Sequence, residues 1–397
     1  MADSRTRAAP GREPRVLFLT THAGFFASHW IGLARVLRTQ GFEVVVGAAR
    51  DASVTSIEQE GFLFRNVAFE RFGMNPVREL ATIAELVRLY ADVRPSLAHH
   101  FGHKPVVYGA IAARITGVAA VGTVPGLGYA YVTSGAKART AKAALRVLYR
   151  LFRVVNPTPL IFENCADRQL FLERGLVRGA ETALVPGAGV DCQKFKPQPE
   201  CEGDPVVVLA ARMVRDKGVV EFVDAARRLA QRGIRARFVL AGAAGDGQRA
   251  GISEADLRAW SEEGIVTWIG QSADVPGLLA RAHIVCLPSY VEGLPLSLAE
   301  AAAAGKPIVA SDIPGCRAVV RDRVNGFLVP VKDSAALSDR IAELLADREL
   351  RQRMGALGRD FAVRELSIER CVERTFALYR KVGLGVQTSG PAVELTH

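Results

Sequence analysis

Two carboxylates stand eight residues apart, Glu292 and Glu300, in a segment that runs from Pro288 through Gly293, Leu294 and Pro295 to Ala304. An apolar run, Ala282 to Leu287, precedes them and reads as a buried strand, and Pro295 stands where a first helical turn tolerates a missing N–H. The segment therefore predicts strand, loop and helix. Backbone N–H groups of Gly293, Leu294 and Leu296 would point out of the helix start, where the macrodipole favours an anion such as a phosphate, and Gly293 permits close approach. At helical rise the two carboxylates lie roughly 12 Å apart. That is about the span from the sugar to the ribose of a nucleotide sugar laid over the helix start, so the pair could clamp its hydroxyls at both ends. In isolation such a pair could equally be a solvated Glu300 and an incidental loop Glu292; the neighbouring residues decide between these.

Arg212 and Lys217, with Gly218 behind them, follow another apolar run, Val206 to Ala211. Two cations and a glycine at the end of a strand can neutralise a diphosphate; the alternative is a basic surface turn. In the N-terminal half, Gly24 follows the first apolar run, Arg15 to Thr20. No G-x-G-x-x-G is present there and no acid closes the second strand, Glu43 to Gly47, so Gly24 is read as admitting a ligand other than a dinucleotide. Arg71 and Asn75 flank a loop that ends on the helix-starting Pro76, beside the same crevice.

His99, His100 and His103 surround Phe101 and Gly102, with Lys104 and Pro105 next. Three histidines invite a metal, but no carboxylate accompanies them at ligand spacing, and adjacent histidines in a strand point to opposite faces. No metal site is expected, and the histidines are read as hydrogen-bonding a substrate.

The elements that must position these groups alternate along the chain. Strands and helices follow one another from Arg15 to Pro186 and again from Val206 to about Leu384, the pattern of parallel sheets covered on both faces. The expected architecture is α/β: two Rossmann-like domains facing a cleft, 15–186 and 205–384, with a Gly-, Pro- and Lys-rich linker over 187–204. The last helix, Ser367 to Leu384, could pack back on the first domain. A helix is expected from about Ser28 to Thr39, and another over Gly135 to Val155. On the latter, Arg139, Lys142, Arg146, Arg150 and Arg153 recur at helical spacing on one face, while Leu145, Leu148, Tyr149 and Phe152 give it an apolar side. Such a helix could rest on an anionic membrane surface or be an ordinary outer helix.

A chain of 397 residues exceeds what one core usually serves, and 49% hydrophobic with 23% charged residues is globular rather than disordered. Every apolar run is broken before about 18 residues, so no membrane span is expected. Met1 to Pro14 lacks an apolar stretch and reads as neither secretory signal nor anchor. Six cysteines form no C-x-x-C pair, which fits the cytosol. Residues 1–200 hold 25 Lys/Arg against 16 Asp/Glu, so the excess of +10 lies almost wholly in the N-terminal half and points to an acidic partner there. Nothing indicates nucleic acid.

The Glu-x7-Glu spacing around Glu-Gly-Leu-Pro, together with R-x4-K at Arg212 and Lys217 and a G-V-D-x3-F-x-P linker within Gly187 to Pro197, resembles the retaining glycosyltransferases of family 4, which share the GT-B fold. Phe25 to His29, Arg71 to Pro76, His99 to Phe101 with Lys104-Pro105, and Gly126 to Tyr129 look like the subgroup that extends lipid-linked glycans or exopolysaccharide repeat units. The resemblance implies Arg212 and Lys217 on the leaving diphosphate, Glu292 on the donor sugar, Glu300 on the ribose, and Gly293 and Leu294 as N–H donors. Gly24 would join the donor site, and Arg71, Asn75, His100 and Lys104 the acceptor site. The subgroup often has Thr-Ile ahead of its Lys-Pro, where this chain has Gly102-His103. No Asp-x-Asp occurs in the chain, which agrees with metal-free transfer.

The expected function is transfer of a hexose or N-acetylhexosamine from a nucleotide-diphosphate sugar, UDP-linked, to a glycan or polyprenyl-diphosphate-linked acceptor. It would proceed with retention and no cofactor, in the cytoplasm and peripherally on the inner face of the cell membrane. The alternatives are a nucleotide-sugar 2-epimerase or phosphorylase of the same architecture, or a non-catalytic sugar-nucleotide-binding component of a polysaccharide assembly complex.

Overall fold

The structure, a computed structural model, describes residues 13–69, 75–126, 139, 143, 146–150, 152, 158–247 and 250–387. The chain divides into two compact units, Met1–Ala188 with Ile368–His397, and Gly189–Ser367. Arg71, Lys142, Leu145 and Arg153 lie outside the described residues.

The first unit is built on seven strands: β1 (Arg15–His22), β2 (Glu43–Ala49), β3 (Leu63–Asn66), β4 (Leu97–Phe101), β5 (Ala119–Val124), β6 (Leu160–Phe162) and β7 (Thr182–Leu184). Their order is β3-β2-β1-β4-β5-β6-β7 and the pairs are parallel. In β1, successive side chains go to opposite faces: Val16 and Phe18 join one apolar cluster, Leu17 and Leu19 the other. Both faces are buried, so the strand reads as a continuous apolar run.

The second unit repeats the scheme with β8 (Val206–Ala210), β9 (Arg237–Ala241), β10 (Thr267–Trp268), β11 (Ile284–Leu287), β12 (Ile308–Ser311) and β13 (Gly326–Val329), ordered β10-β9-β8-β11-β12-β13 and again parallel. Apolar clusters lie on either side of this sheet too, one around Leu298 and Ala302, the other around Phe222, Phe327 and Ile341.

Four departures from the sequence reading have local causes. Helix starts at Ala23, directly after β1, and breaks at Trp30 into Ala23–His29 and Ile31–Thr39. Trp30 is buried with its ring 4.3 Å from that of Phe101, an anchor that periodicity does not register. The helix Arg348–Phe361 was not expected, because its inward side consists of Arg351, Met354, Gly355 and Gly358 rather than an aliphatic stripe. Much of 187–204 is packed rather than loose: Val190, Cys192 and Phe195 join the second unit's core, and Glu200 accepts from Arg351 at 2.8 Å. In the basic helix, Tyr149 and Phe152 are core residues of the first unit. These two, with Leu148 packed beside them, are therefore spent on the fold and do not face a membrane, while the described cations Arg139, Arg146 and Arg150 are exposed.

The last helix, Ile368–Lys381, belongs to the first unit, where Cys371, Val372, Phe376 and Tyr379 enter the cluster that holds Phe18 and Phe101.

Candidate active site

In an open parallel sheet, the loops after two adjacent strands part where the strand order reverses, and ligands bind in the crevice at the carboxyl ends. In the second unit those strands are β8 and β11, paired in register at Ile284 with Val207 and Val285 with Val208. Arg212 to Gly218 follows β8, and Pro288 to Pro295 follows β11. Strand order alone therefore brings together the cations and carboxylates singled out from the sequence.

The two loops are tied by their backbones. Tyr290 N–H donates to the Asp216 carbonyl at 2.8 Å, and the Ser289 hydroxyl donates to the same oxygen at 2.9 Å. Tyr290 also donates its phenol to Glu221 at 2.6 Å. Gly218 makes the approach possible. Its φ is +72°, and a Cβ there would stand 2.1 Å from the Pro288 carbonyl oxygen. On the far side, a Cβ on Gly315 would come 2.5 Å from the Glu292 carbonyl, so that glycine seats the carboxylate-bearing loop.

Within this frame, Lys217 Nζ meets Glu292 Oε1 at 2.5 Å, with side-chain exposures of 22% and 10%. Cys316 is buried at the same place: burial first, then the charge of Glu292, hold its thiol well above its ordinary pKa and so neutral. Arg212 is exposed at the mouth of the β8 loop.

The helix after Glu292 spans Leu296–Ala303 with Pro295 as its N-cap, so the proline sits one position earlier than the sequence suggested. No side chain caps it. Leu298 and Ala299 both donate to the Pro295 carbonyl, whereas the N–H groups of Leu294, Leu296 and Ser297 make no hydrogen bond among the described residues. Three donors and the positive end of the helix dipole thus remain for an anion. Glu300, one turn on, is half-buried and in no ion pair among the described residues. Burial pushes its carboxyl up to about 7, opposed by the charge of Lys194.

The first unit presents its own reversal between β1 and β4. Gly24 lies in the first turn of the helix after β1, its N–H donating to Asp51 Oδ2 at 2.8 Å. Lys104 lies in the first turn of the helix His103–Thr116 after β4, ion-paired to Glu79 at 2.6 Å. Asn75 is the N-cap of the helix Pro76–Val93, its Oδ1 accepting from Val77 N–H at 3.0 Å.

His100 requires correction as an acceptor contact. It is fully buried, its Nε2 lies 2.6 Å from the Tyr90 hydroxyl, and burial pushes its pKa down to about 3. It is a neutral core histidine, out of reach of a ligand. His99 points to the other face of β4, between Thr123 and Tyr379, each at 2.7 Å. Among the described residues no group of three or more His, Cys, Asp or Glu is placed to hold a metal ion.

Sequence reasoning passed over Ser289, Tyr290, Glu221, Gly315 and Cys316, which build the second unit's site, and Glu79 and Tyr108 beside Lys104. For Ser289, Tyr290, Gly315 and Cys316 the one available signal was position, each lying within five residues of a strand's carboxyl end; Glu221, Glu79 and Tyr108 lie farther on, in the helices that follow.

The model for glycosyl transferases group 1 matches residues 192–361, and the model for glycosyl transferase 4-like domains matches 15–156. The chain belongs to the family 4 glycosyltransferases. This glycosyltransferase is 29% identical over 353 residues to the N,N'-diacetylbacillosaminyl-diphospho-undecaprenol alpha-1,3-N-acetylgalactosaminyltransferase of Campylobacter jejuni, covering 85% of this chain and 91% of that one. It is 24% identical to the UDP-Gal:alpha-D-GlcNAc-diphosphoundecaprenol alpha-1,3-galactosyltransferase of Escherichia coli over 69% of this chain and 72% of that one. Among solved structures, Anabaena HepE in complex with UDP superposes with a TM-score of 0.76 at 22% identity, covering 92% of this chain and all of that one. The fold is GT-B. Among the described residues, no helix of this glycosyltransferase is long and apolar enough to cross a membrane.

Proposed function

We propose that this glycosyltransferase moves a hexose or N-acetylhexosamine from a UDP-linked sugar to a glycan carried on a polyprenyl diphosphate, with retention of configuration and without a metal ion. The observation that carries the reading is the Lys217–Glu292 pair, set at the strand-order reversal of the second sheet beside three unbonded helix-start N–H groups.

Breaking the bond between sugar and diphosphate leaves positive charge at the anomeric carbon and negative charge on the departing diphosphate. Groups fixed beforehand at the latter stabilise the transition state more than the ground state. Lys217, Arg212 and the N–H groups of Leu294, Leu296 and Ser297 supply that positive field, the role a divalent ion would otherwise fill. Glu292, paired with Lys217, accepts from the donor sugar's hydroxyls. Glu300 accepts from the ribose hydroxyls, and its elevated pKa supports a site kept dry for a ligand.

The acceptor class is supported by the two relatives that act on undecaprenol-diphosphate glycans and by the basic balance of residues 1–200. The same balance and the exposed Arg139, Arg146 and Arg150 support peripheral attachment to an anionic leaflet, on the cytoplasmic face where nucleotide sugars are held.

The test is a panel of nucleotide sugars offered with a synthetic polyprenyl-diphosphate-linked sugar, read by mass spectrometry and by NMR of the new anomeric centre. An acceptor heavier by one sugar, with the donor's anomeric configuration, supports the reading. A rearranged nucleotide sugar with an unchanged acceptor would mean epimerisation.

A further inference from the structure

Behind the Lys217–Glu292 pair stands another carboxylate. Glu221 lies in the first turn of the helix Val219–Gln231, which begins directly after the turn that carries Lys217. Its Oε1 accepts from the Tyr290 phenol at 2.6 Å, and Tyr290 stands two residues before Glu292. Its other oxygen, Oε2, is buried and has no hydrogen-bond partner among the described residues. A carboxylate with a buried, unpaired oxygen costs stability, and an amide or a backbone carbonyl could hold a phenol without that cost. Packing alone would not choose a charge here.

Tyr290 is fixed on three sides. Glu221 holds its tip, the Asp216 carbonyl accepts from its N–H at 2.8 Å, and Lys332 Nζ lies 4.9 Å from the centre of its ring. Lys332 takes a left-handed backbone, φ +64°, uncommon for a residue with a Cβ, in the turn between β13 and the helix Ser334–Ala346. Burial first, then the bond to Glu221, hold the phenol above its ordinary pKa, so it remains a donor. The loops after β8 and β11 are thereby joined at three points: the Tyr290 N–H, the Tyr290 phenol and the Lys217–Glu292 pair.

We infer that Glu221 is a positioning residue: acting through Tyr290, it fixes the Glu292 carboxylate and the Lys217 ammonium where the sugar and the departing diphosphate need them. An ammonium and a carboxylate on loops free to shift would have to reorganise during the reaction, and small misplacements are paid in rate rather than in ground-state binding. UDP carries no sugar, and Arg212 and the helix-start N–H groups remain to meet its diphosphate, so its affinity depends little on the link. This inference rests on the donor-site roles given under the proposed function.

The test is the double variant Glu221→Leu with Tyr290→Phe, which removes both polar partners together and leaves neither unpaired, beside Glu221→Gln, which can still accept from the phenol. The double variant should melt no lower than wild type and bind UDP within twofold by calorimetry, yet turn over at least tenfold more slowly at saturating donor. Glu221→Gln should recover at least a third of the wild-type turnover. In NMR spectra of the full chain with isotope-labelled lysine, Lys217 being assigned from Lys217→Arg, the Lys217 resonance of the double variant should move toward its position in Glu292→Gln; in Glu221→Gln it should stay near the wild-type position.

Turnover of the double variant within twofold of wild type, or an unmoved Lys217 resonance, would overturn the inference. So would melting temperature, UDP affinity and turnover all falling together, since a mere structural brace would do that. The failure of the proposed function is a different result: no sugar transferred from any nucleotide sugar by the wild type, with the expected shift of the Lys217 resonance and the undiminished melting temperature of the double variant intact.

Discussion

Lys217 and Glu292 lie 75 residues apart in sequence and 2.5 Å apart in space, each at the carboxyl end of one of two adjacent strands. Neither side chain reaches the other through its own element. The meeting depends on β8 and β11 being neighbours and on the backbone bonds from Ser289 and Tyr290 to Asp216.

Replacing Lys217 by Met should lower turnover by roughly 100-fold or more, since a cation fixed on a leaving group acts in the transition state. Steady-state kinetics at saturating donor reads this directly. In the same assay a chelator should leave the wild type active. Activity abolished by chelator and restored by a divalent ion would replace the metal-free mechanism with a metal-assisted one.

Glu300 should make donor binding depend on pH. Its carboxyl titrates at about 7 rather than 4.5, so it is largely neutral at pH 6 and charged at pH 8. A charge-assisted hydrogen bond to the ribose strengthens as it ionises, so UDP affinity measured by calorimetry should rise between pH 6 and 8 in the wild type and stay flat in Glu300→Gln. At pH 8 that variant should bind UDP more weakly by about 1–3 kcal/mol. Equal pH profiles in the two proteins would remove Glu300 from the ribose.

The same group should lower the stability of the ligand-free protein, with the opposite sign to its role in binding. Below the unfolded pKa, near 4.5, both states are protonated and nothing is lost. As pH rises toward 7 the unfolded state ionises first, so stability falls, and above 7 the full penalty remains, on the order of 3 kcal/mol. Glu300→Gln should therefore raise the melting temperature at pH 8 and leave it unchanged at pH 4.

Gly218 and Gly233 share a left-handed backbone, φ +72° and +70°, but only Gly218 has a carbonyl where a Cβ would go. Alanine at Gly233 should cost about 1 kcal/mol for the backbone alone. Alanine at Gly218 should cost at least about 2–3 kcal/mol and displace Lys217. Chemical denaturation of both variants measures the difference; equal losses would mean that the two loops yield without penalty.

Reversing Arg139, Arg146 and Arg150 to glutamate should abolish sedimentation with anionic vesicles, since each basic residue near such a surface contributes about 1 kcal/mol. Raised salt should imitate the substitution. Continued sedimentation of the triple variant at low salt would leave these arginines as a solvated face.

The two parallel sheets were legible because strands buried on both faces announce themselves as apolar runs, and the meeting of Lys217 with Glu292 because each follows the end of such a run. His100 misled for the same reason: a polar residue at a strand's end looks exposed, and only the packing against Tyr90 shows that it is not. The basic helix was half legible. Its charged face follows from spacing, but the destination of Tyr149 and Phe152 is a tertiary fact. Glu79 could not be paired with Lys104 from sequence, since their separation of 25 spans the rest of Glu79's own helix and all of β4.

The crossing of the chain at Ser367 bears on how the protein is made. A ribosome delivers residues 13–188 first, yet their core lacks Cys371, Val372, Phe376 and Tyr379 until the entire second unit has been synthesised. Until then the buried His99 lacks the Tyr379 hydroxyl, 2.7 Å away in the finished protein. The unit that is translated first is thus completed last, and a chain stopped at residue 367 would release a finished second unit attached to an unfinished first one.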